Sequence, residues 1–217
     1  MKKAIIIMVK VPEAGKVKTR LQSVLTPDQC KNLAVCFLQD AENKAANPEV
    51  SLIIAFSPKR KKDKLLSILQ YENSLIEQKG EDLGERMFNV FDFGFGEGFD
   101  AILMIGTDSP TMPEETFAEA FKLLQDKTDA VIGKTEDGGF YLIGLNRLKK
   151  GIFDEVEWGT ENVFDQTVGN LQKKSLRSEF LDVWYDVDCA ADLERLRKEL
   201  KDVPELAPKT SEWLKKI

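Results

Sequence analysis

An aspartate follows a short apolar run in the middle of the sequence, where its carboxylate could bind a cation. Residues 101–105 read Ala-Ile-Leu-Met-Ile and residues 106–110 read Gly-Thr-Asp-Ser-Pro. The run predicts a parallel strand buried on both faces, which Gly106 and Pro110 end, leaving Asp108 at its carboxyl end. Ligands bind at this edge of open α/β sheets. Asp108 either contributes to such a site or only closes a turn over the next two residues.

A second pair of carboxylates, Asp186 and Asp188, follows the last predicted strand at residues 181–185. Either of them could form a two-carboxylate site together with Asp108. Such a site suits a hard cation, Mg²⁺ or Mn²⁺, which prefers oxygen ligands and shares its shell with phosphates. The alternative is that Asp186 or Asp188 only caps the helix predicted to start near Ala190.

The loop after the first predicted strand carries four cations. Lys10, Lys16, Lys18 and Arg20 flank Gly15. Lysine and arginine supply positive charge, Arg20 can bind an anion with two parallel N–H groups, and glycine permits close approach of the backbone. The loop predicts a polyphosphate site, although it is neither a Walker motif nor a GxGxxG motif. A solvated basic loop is the alternative.

A polar segment, residues 78–87, leads into the third predicted helix. It contains Gln78, Gly80 and Glu85, and the helix carries Leu83 on its apolar face. The free N–H groups of a helix start can bind a ligand, although a helix that caps itself is the alternative.

Two further segments combine turn residues with groups able to contact a ligand. Asp137, Gly138 and Gly139 separate two predicted strands and form either a hairpin turn or a place where a ligand approaches the backbone beside a carboxylate. Trp158 is either a core residue or a platform for a substrate, and Thr160 is the expected N-cap of the next helix.

The composition excludes several classes of function. The chain has no histidine, which removes Ser-His-Asp and Cys-His pairs and most zinc hydrolase sites, so catalysis must rest on carboxylates, cations and a metal. The net charge of -6 repels nucleic acid and anionic membranes. The apolar run at residues 4–9 is too short for a signal peptide, and no later run has the length of a transmembrane helix. We therefore expect a cytoplasmic protein.

The length of 217 residues suits one α/β domain. Thr26 and Gln29 have the spacing of a capping box at the start of the first helix. A second helix is expected to turn Leu65, Leu66 and Leu69 inward. Residues 204–217 are expected to form a peripheral tail.

Five segments, in order, resemble a family of bacterial nucleotide-diphospho-sugar transferase-like proteins that are often called glycosyltransferases and are similar to 2-phospholactate guanylyltransferases. They are residues 10–21, 78–87, 106–110, 137–144 and 186–193. The resemblance implies the GT-A fold, a three-layer α/β/α domain with a mainly parallel Rossmann-like sheet. It also implies a nucleotide-binding half, about residues 1–110, and an acceptor-binding half, about residues 111–203.

The same resemblance implies roles for individual residues. Asp108 and Asp188 match metal ligands. The nucleotide side is matched by Lys10, Gly15, Lys16, Lys18, Arg20, Gln78, Gly80 and Glu85. The acceptor side is matched by Gly138, Gly139, Trp158 and Thr160. The chain has Gly159 where the family more often has serine, which leaves the acceptor contacts open.

These residues together predict nucleotidyl transfer. Mg²⁺ or Mn²⁺ on Asp108 and Asp188 would bind a nucleoside triphosphate, and a phosphorylated small molecule would attack its α-phosphorus and release pyrophosphate. Lys18 and Arg20 would neutralise the developing charge. One alternative is glycosyl transfer from a nucleotide sugar, with Asp137 deprotonating an acceptor hydroxyl. Another is a nucleotide-binding module without catalysis.

Overall fold

A seven-stranded sheet forms the centre of the computed structural model, which describes residues 1–126 and 128–217. The strands are β1 (Lys3–Lys10), β2 (Ser51–Ser57), β3 (Ser74–Glu77), β4 (Ala101–Ile105), β5 (Ala130–Thr135), β6 (Phe140–Leu145) and β7 (Ser178–Trp184). Their order is β3-β2-β1-β4-β6-β5-β7. β6 runs antiparallel to β4 and β5, and every other neighbouring pair is parallel.

Helices cover both faces of the sheet. They are α1 (Pro27–Ala45), α2 (Lys62–Leu66), α3 (Leu83–Gly96), α4 (Glu115–Asp126), α5 (Val163–Lys173), α6 (Ala190–Asp202) and α7 (Pro208–Leu214). Side chains of α1, α2 and α4 pack on one face, and those of α3 and α5 pack on the other. The predicted three-layer α/β/α architecture is confirmed.

The central strands are apolar on both sides because each face of the sheet is covered. In β1, Ile5 and Ile7 join one core cluster and Ile6 joins the other, since successive side chains of a strand point to opposite faces. All five residues of β4 are buried, as the unbroken apolar run predicts. β1 and β4 are parallel neighbours, so the loops after both strands lie at the same edge.

A third cluster lies outside the sheet, between α1, α6 and α7. Residues 204–217, expected at the periphery, contribute Ala207 and Leu214 to it. The buried Asp40 of α1 accepts hydrogen bonds from the backbone N atoms of Lys209 and Thr210, both at 2.9 Å. These bonds satisfy free N–H groups at the start of α7 and fix this helix to α1.

Two expected apolar contacts are absent from the core. Leu66 was predicted to face inward but is 52% exposed, because α2 is a single turn that ends at Leu66 and only Leu65 reaches the core. Leu83, the first residue of α3, is 42% exposed. No helix in the described part of the chain is long and apolar enough to cross a membrane.

The first helix begins with the predicted capping box. Thr26 Oγ1 accepts from Gln29 N at 3.2 Å, and Gln29 Oε1 accepts from Thr26 N at 2.8 Å. We expect Thr26→Ala to lower the free energy of unfolding by about 1 kcal/mol, because it leaves an N–H group of the first turn without its partner. Urea denaturation measures this change. Thr26→Ser keeps the hydroxyl and is the control, so equal losses in both variants would contradict the capping role.

Candidate active site

The side chain of Lys18 joins the two predicted carboxylates. Its Nζ lies 2.7 Å from Asp108 Oδ1 and 3.1 Å from Asp188 Oδ1, and it donates to Val187 O at 2.7 Å. The three N–H groups of the ammonium therefore all have acceptors. The side chain is 6% exposed. Burial alone would lower the pKa of Lys18, but the two carboxylates outweigh it and hold the pKa above its usual value.

The backbone brings the carboxylates together after β4 and β7. Val187 N donates to Asp108 O at 2.9 Å, which ties the segment after β7 to the segment after β4. Asp192 Oδ2 accepts from Asp188 N at 3.0 Å and from Cys189 N at 2.7 Å at the start of α6. Asp192 thus accepts hydrogen bonds from the backbone at the start of α6, whereas the carboxylate of Asp188 binds the Lys18 ammonium.

Asp186 has a different environment from its neighbours. It is half-buried, and its Oδ1 accepts a hydrogen bond from Ser109 Oγ. Burial, together with the negative charges of Asp108 and Asp137, raises the pKa of Asp186 to about 7 despite the Ser109 hydrogen bond. Among the described residues, the Asp108 carboxylate contacts Lys18 and Thr107 and closes no turn over Ser109 and Pro110.

The cationic loop borders a cavity of about 330 Å³, which we call the cationic cavity. Its charged lining residues are Lys10, Lys16, Lys18, Arg20, Asp108 and Asp188. Lys10 Nζ donates to Lys16 O at 2.9 Å, so its ammonium also holds the loop in shape. Lys16 is exposed, and Arg20 is 74% exposed with Nη1 3.8 Å from Asp188 Oδ2.

The loop bends at two residues with positive φ. Gly15 has φ 73° and does not line the cavity. Lys18 has φ 48° and ψ 40° where the chain enters the 3-10 helix Thr19–Ser23. A left-handed conformation is uncommon for lysine, and here it turns the side chain into the contacts with Asp108 and Asp188.

A second cavity, of about 410 Å³, lies beside the same carboxylates and is called the aromatic cavity here. Its lining includes Arg20, Leu83, Asp137, Gly139, Phe140, Trp158, Thr160, Glu161, Asp186 and Asp188. Arg20 and Asp188 line both cavities, which makes the two cavities direct neighbours.

The turn that carries Asp137 is a hairpin between β5 and β6. Asp137 Oδ1 accepts from Thr135 Oγ1 at 2.6 Å and from Gly139 N at 3.1 Å. Gly138 has φ 92°, and a Cβ there would lie 2.2 Å from Glu161 O. Gly138 is thus required by the turn and its packing, whereas Asp137 and Gly139 line the aromatic cavity. Of the two alternatives for this segment, the hairpin turn is observed, and the ligand-facing carboxylate stays a prediction.

Trp158 forms part of the core and part of the cavity wall. Its ring centroid lies 6.3 Å from that of Phe140 at an interplanar angle of 77°, and also 6.3 Å from that of Phe153. Its indole Nε1 is buried and has no hydrogen-bond partner among the described residues. The predicted N-cap at Thr160 is wrong: Asn162 is the N-cap of α5, and Thr160 Oγ1 instead donates to Glu157 O at 2.8 Å.

The segment before α3 satisfies its own polar groups. Gln78 Nε2 donates to the carbonyl oxygen atoms of Ala55 at 2.7 Å and of Val9 at 3.3 Å. Glu85 Oε2 accepts from Glu81 N at 2.9 Å, and Asp82 Oδ1 caps the helix by accepting from Glu85 N at 2.8 Å.

Gly80 takes part in the same helix start. It has φ 142°, and its carbonyl oxygen accepts from Arg86 Nε at 3.0 Å. Gln78, Gly80 and Glu85 line neither the cationic nor the aromatic cavity. The self-capped helix start is the arrangement observed.

The sequence analysis did not single out Lys44, whose side chain binds the backbone of the turn that follows Asp108. Its Nζ donates to Pro110 O and, at 2.7 Å, to Met112 O. Burial lowers the pKa of Lys44 to about 8. Lys44 lies near the end of α1 outside any motif, so no local signal in the sequence distinguishes it from a solvated lysine. Phe140, although it lies within the segment 137–144, and Glu161 of the aromatic cavity were not singled out either.

Comparison with known proteins gives the family. Residues 40–160 match the family model described as "Uncharacterized protein conserved in bacteria (DUF2064)". A protein from Desulfovibrio desulfuricans G20, provisionally named a nucleotide-diphospho-sugar transferase, has a solved structure that superposes with a TM-score of 0.93. Its sequence is 33% identical, and the match covers 100% of this chain and 95% of that chain. The chain belongs to the DUF2064 family.

More distant structures share the fold of this DUF2064 protein. A CMP:2-keto-3-deoxy-manno-octonic acid synthetase complexed with CTP has a TM-score of 0.56 and 12% identity, over 93% of this chain and 99% of that one. The 4-diphosphocytidyl-2C-methyl-D-erythritol synthase from Anaerococcus prevotii DSM 20548 has a TM-score of 0.57 and 14% identity, over 92% and 99%. The predicted nucleotide-diphospho-sugar transferase fold is thus confirmed. None of the curated proteins matches the chain.

Proposed function

We propose that this DUF2064 protein is a transferase that binds the phosphates of a nucleotide-activated donor in the cationic cavity. One observation carries the proposal: the Oδ1 atoms of Asp108 and Asp188 converge on one cation, the Lys18 ammonium. Lys16 and Arg20 are exposed beside this cluster. An arrangement of paired carboxylates and free cations suits a bound divalent ion and the phosphate oxygens that share its shell.

The donor set fits Mg²⁺ or Mn²⁺. Asp108 and Asp188 offer two hard oxygen ligands that already face one positive charge, whereas Asp186 is occupied by Ser109. The described residues contain no group of three or more such ligands placed for one metal ion, so the remaining ligands would be water and phosphate oxygens, as is usual for Mg²⁺. The bound ion would polarise the donor phosphate and stabilise the negative charge that develops on the leaving group.

The cations of the loop differ in how strongly they already bind protein groups. The Lys16 ammonium makes no hydrogen bond or ion pair with the described residues, and Arg20, although 3.8 Å from Asp188 Oδ2, is 74% exposed and can bind phosphate oxygens through two N–H groups. Lys10 and Lys18 already bind protein oxygen atoms. The number of uncommitted cations is therefore smaller than the sequence suggested, and it suits a diphosphate better than a triphosphate.

Glycosyl transfer from a nucleotide-diphospho-sugar is accordingly the function that the geometry supports best. The oxygen of an acceptor hydroxyl would bond to the anomeric carbon, and the bond from that carbon to the diphosphate would break with its electron pair leaving on the diphosphate. Asp137 would take the hydroxyl proton. Its Oδ1 is held by Thr135 and Gly139, while Oδ2 makes no hydrogen bond to residues that the structure describes.

The second candidate is transfer of a nucleotidyl group to a phosphorylated small molecule, with release of pyrophosphate. It is supported by the shared fold with the CTP-bound synthetase and with the 4-diphosphocytidyl-2C-methyl-D-erythritol synthase. The cluster of Asp108, Lys18 and Asp188 would serve either reaction, because both need charge neutralisation at a departing phosphate.

The leaving group distinguishes these functions. The protein is incubated with Mg²⁺ and separate panels of nucleotide sugars and nucleoside triphosphates, and the released phosphate species is identified. Release of a nucleoside diphosphate from a nucleotide sugar is the expected result. Pyrophosphate from a triphosphate would favour the second candidate, and nucleotide binding with no release would identify a binding module.

Lys16→Ala tests the phosphate contact of the loop. We expect about a tenfold weaker apparent affinity for the nucleotide donor, because a charge-assisted hydrogen bond to phosphate is worth about 1.5 kcal/mol. Isothermal titration with nucleoside diphosphates in the presence of Mg²⁺ measures the change. Lys201→Ala, at an exposed position of α6, removes the same charge elsewhere and should leave the affinity unchanged. Equal effects in both variants would show that Lys16 acts only through net charge.

A further inference from the structure

The aromatic cavity carries mostly negative charge. The carboxylates of Asp137, Glu161 and Asp188 line it, and Arg20 is the one cation among its lining residues in the described part of the chain. Arg20 Nη1 lies 3.8 Å from Asp188 Oδ2, and the same side chain lines the cationic cavity, where the donor phosphates would bind. Little positive charge is therefore left for an anion in the aromatic cavity.

A metal ion on Asp108 and Asp188 would not reverse this balance. The ion would neutralise those two carboxylates and bind the donor phosphates. Asp137 and Glu161 would keep their charges, and both are exposed. A phosphate or carboxylate group on the acceptor would then face two like charges without a free cation, which disfavours its binding.

The cavity also has apolar lining residues. Phe140 and Trp158 meet edge to face there, with ring centroids 6.3 Å apart, and Leu83 adds an apolar side chain that is 42% exposed. A cavity lined by both aromatic side chains and carboxylate acceptors suits a molecule with both C–H surface and hydroxyl groups. Hydroxyl groups can donate to Asp137 Oδ2 and to the Glu161 carboxylate, which accept no hydrogen bond from the described residues.

From these observations we infer that the acceptor is an uncharged, hydroxyl-bearing molecule that carries no phosphate or carboxylate and binds in the aromatic cavity. The inference rests on the proposed transferase function and names the class of its second substrate. It differs from the phosphorylated acceptor that the sequence predicts. Glu161 then becomes a specificity residue, because its charge excludes anionic analogues of the acceptor.

The indole N–H of Trp158, a residue that lines this cavity, provides a readout. Its ¹H–¹⁵N resonance is assigned with Trp158→Phe, and the full-length protein with Mg²⁺ is titrated with matched probes: glucose and glucose 6-phosphate, glycerol and glycerol 3-phosphate, and inositol and inositol 1-phosphate. We expect at least one uncharged probe to shift the resonance at concentrations at least tenfold lower than its phosphorylated partner. Phosphorylated probes that shift it equally well would overturn the inference, as would uncharged probes that all leave it in place.

Charge reversal tests the reason for this selectivity. We expect Glu161→Lys to reduce the preference for the uncharged member of a pair by at least tenfold. Glu179→Lys, at an exposed position of β7, makes the same charge change outside the cavity and should keep the preference. An unchanged preference in Glu161→Lys would contradict the electrostatic explanation.

Nucleotide binding is measured on the same samples from the rise in melting temperature with nucleoside diphosphates and Mg²⁺. No rise with any of them would contradict the proposed function. A clear rise combined with a preference for phosphorylated probes at Trp158 would contradict only the inference about the acceptor.

Discussion

Asp108→Asn is expected to lower kcat by about a thousandfold, while the protein keeps its fold. The substitution removes one of the two carboxylates that face the shared cation, and with it most of the support for a metal ion at the departing phosphate. The fold survives because Lys18 keeps two of its acceptors, Asp188 Oδ1 and Val187 O. Initial rates of leaving-group release at saturating donor measure the loss.

A matched control separates chemistry from folding in this experiment. Asp182→Asn makes the same change at an exposed position of β7, outside both cavities, and should leave the rate unchanged. Circular dichroism and the melting temperature report the fold of both variants. Unchanged release of the leaving group by folded Asp108→Asn would remove Asp108 from the reaction centre.

The sequence predicted the fold well because local signals and burial agree along most of the chain. The apolar runs of β1 and β4 and the capping box of α1 each appear where the pattern places them. Leu66 and Leu83 are exceptions. For Leu66 the reason is that the end of a one-turn helix depends on what packs next to it. The N-cap of α5 also escaped prediction, since Thr160 bonds backward to Glu157 in the preceding turn.

The site was less predictable than the fold, because sequence patterns give residue types but not the partners of each side chain. The cationic loop and the carboxylates were recognised, and the structure brings Lys18, Asp108 and Asp188 into contact. A pattern of four cations cannot tell that Lys10 and Lys18 bind protein oxygen atoms while Lys16 and Arg20 stay exposed. That distinction is the reason why we propose a diphosphate donor and not a triphosphate.

The role of Gln78, Gly80 and Glu85 shows the same limit. Their spacing fits either a ligand site or a helix that caps itself, and the hydrogen bonds of Glu85 with Glu81 and Asp82 correspond to the second. Conversely, Lys44 and Glu161 come together with the site only through the tertiary fold. Long-range contacts of this kind leave no trace in local spacing.

Lys18→Met is expected to have the largest effect on stability. Methionine fills a similar volume but leaves Asp108 and Asp188 facing each other and Val187 O without its donor. Breaking a buried ion pair costs about 3–5 kcal/mol, but the carboxylates are 48% and 42% exposed, so water reduces the expected loss to about 2 kcal/mol. Urea denaturation without divalent ions measures it, with Lys201→Met as the control for loss of an exposed charge.

Divalent ions should reverse part of this loss. The Lys18 ammonium competes with a metal for the same two oxygen atoms, so without it Mg²⁺ meets an uncompensated carboxylate pair. We expect Mg²⁺ to raise the melting temperature of Lys18→Met more than that of the wild-type protein. In the double variant Lys18→Met/Asp188→Asn, Mg²⁺ should raise the melting temperature only slightly. Equal shifts in Lys18→Met and wild type would mean that Asp108 and Asp188 do not bind the ion together, and the pair would then serve only as the counter-charge of Lys18.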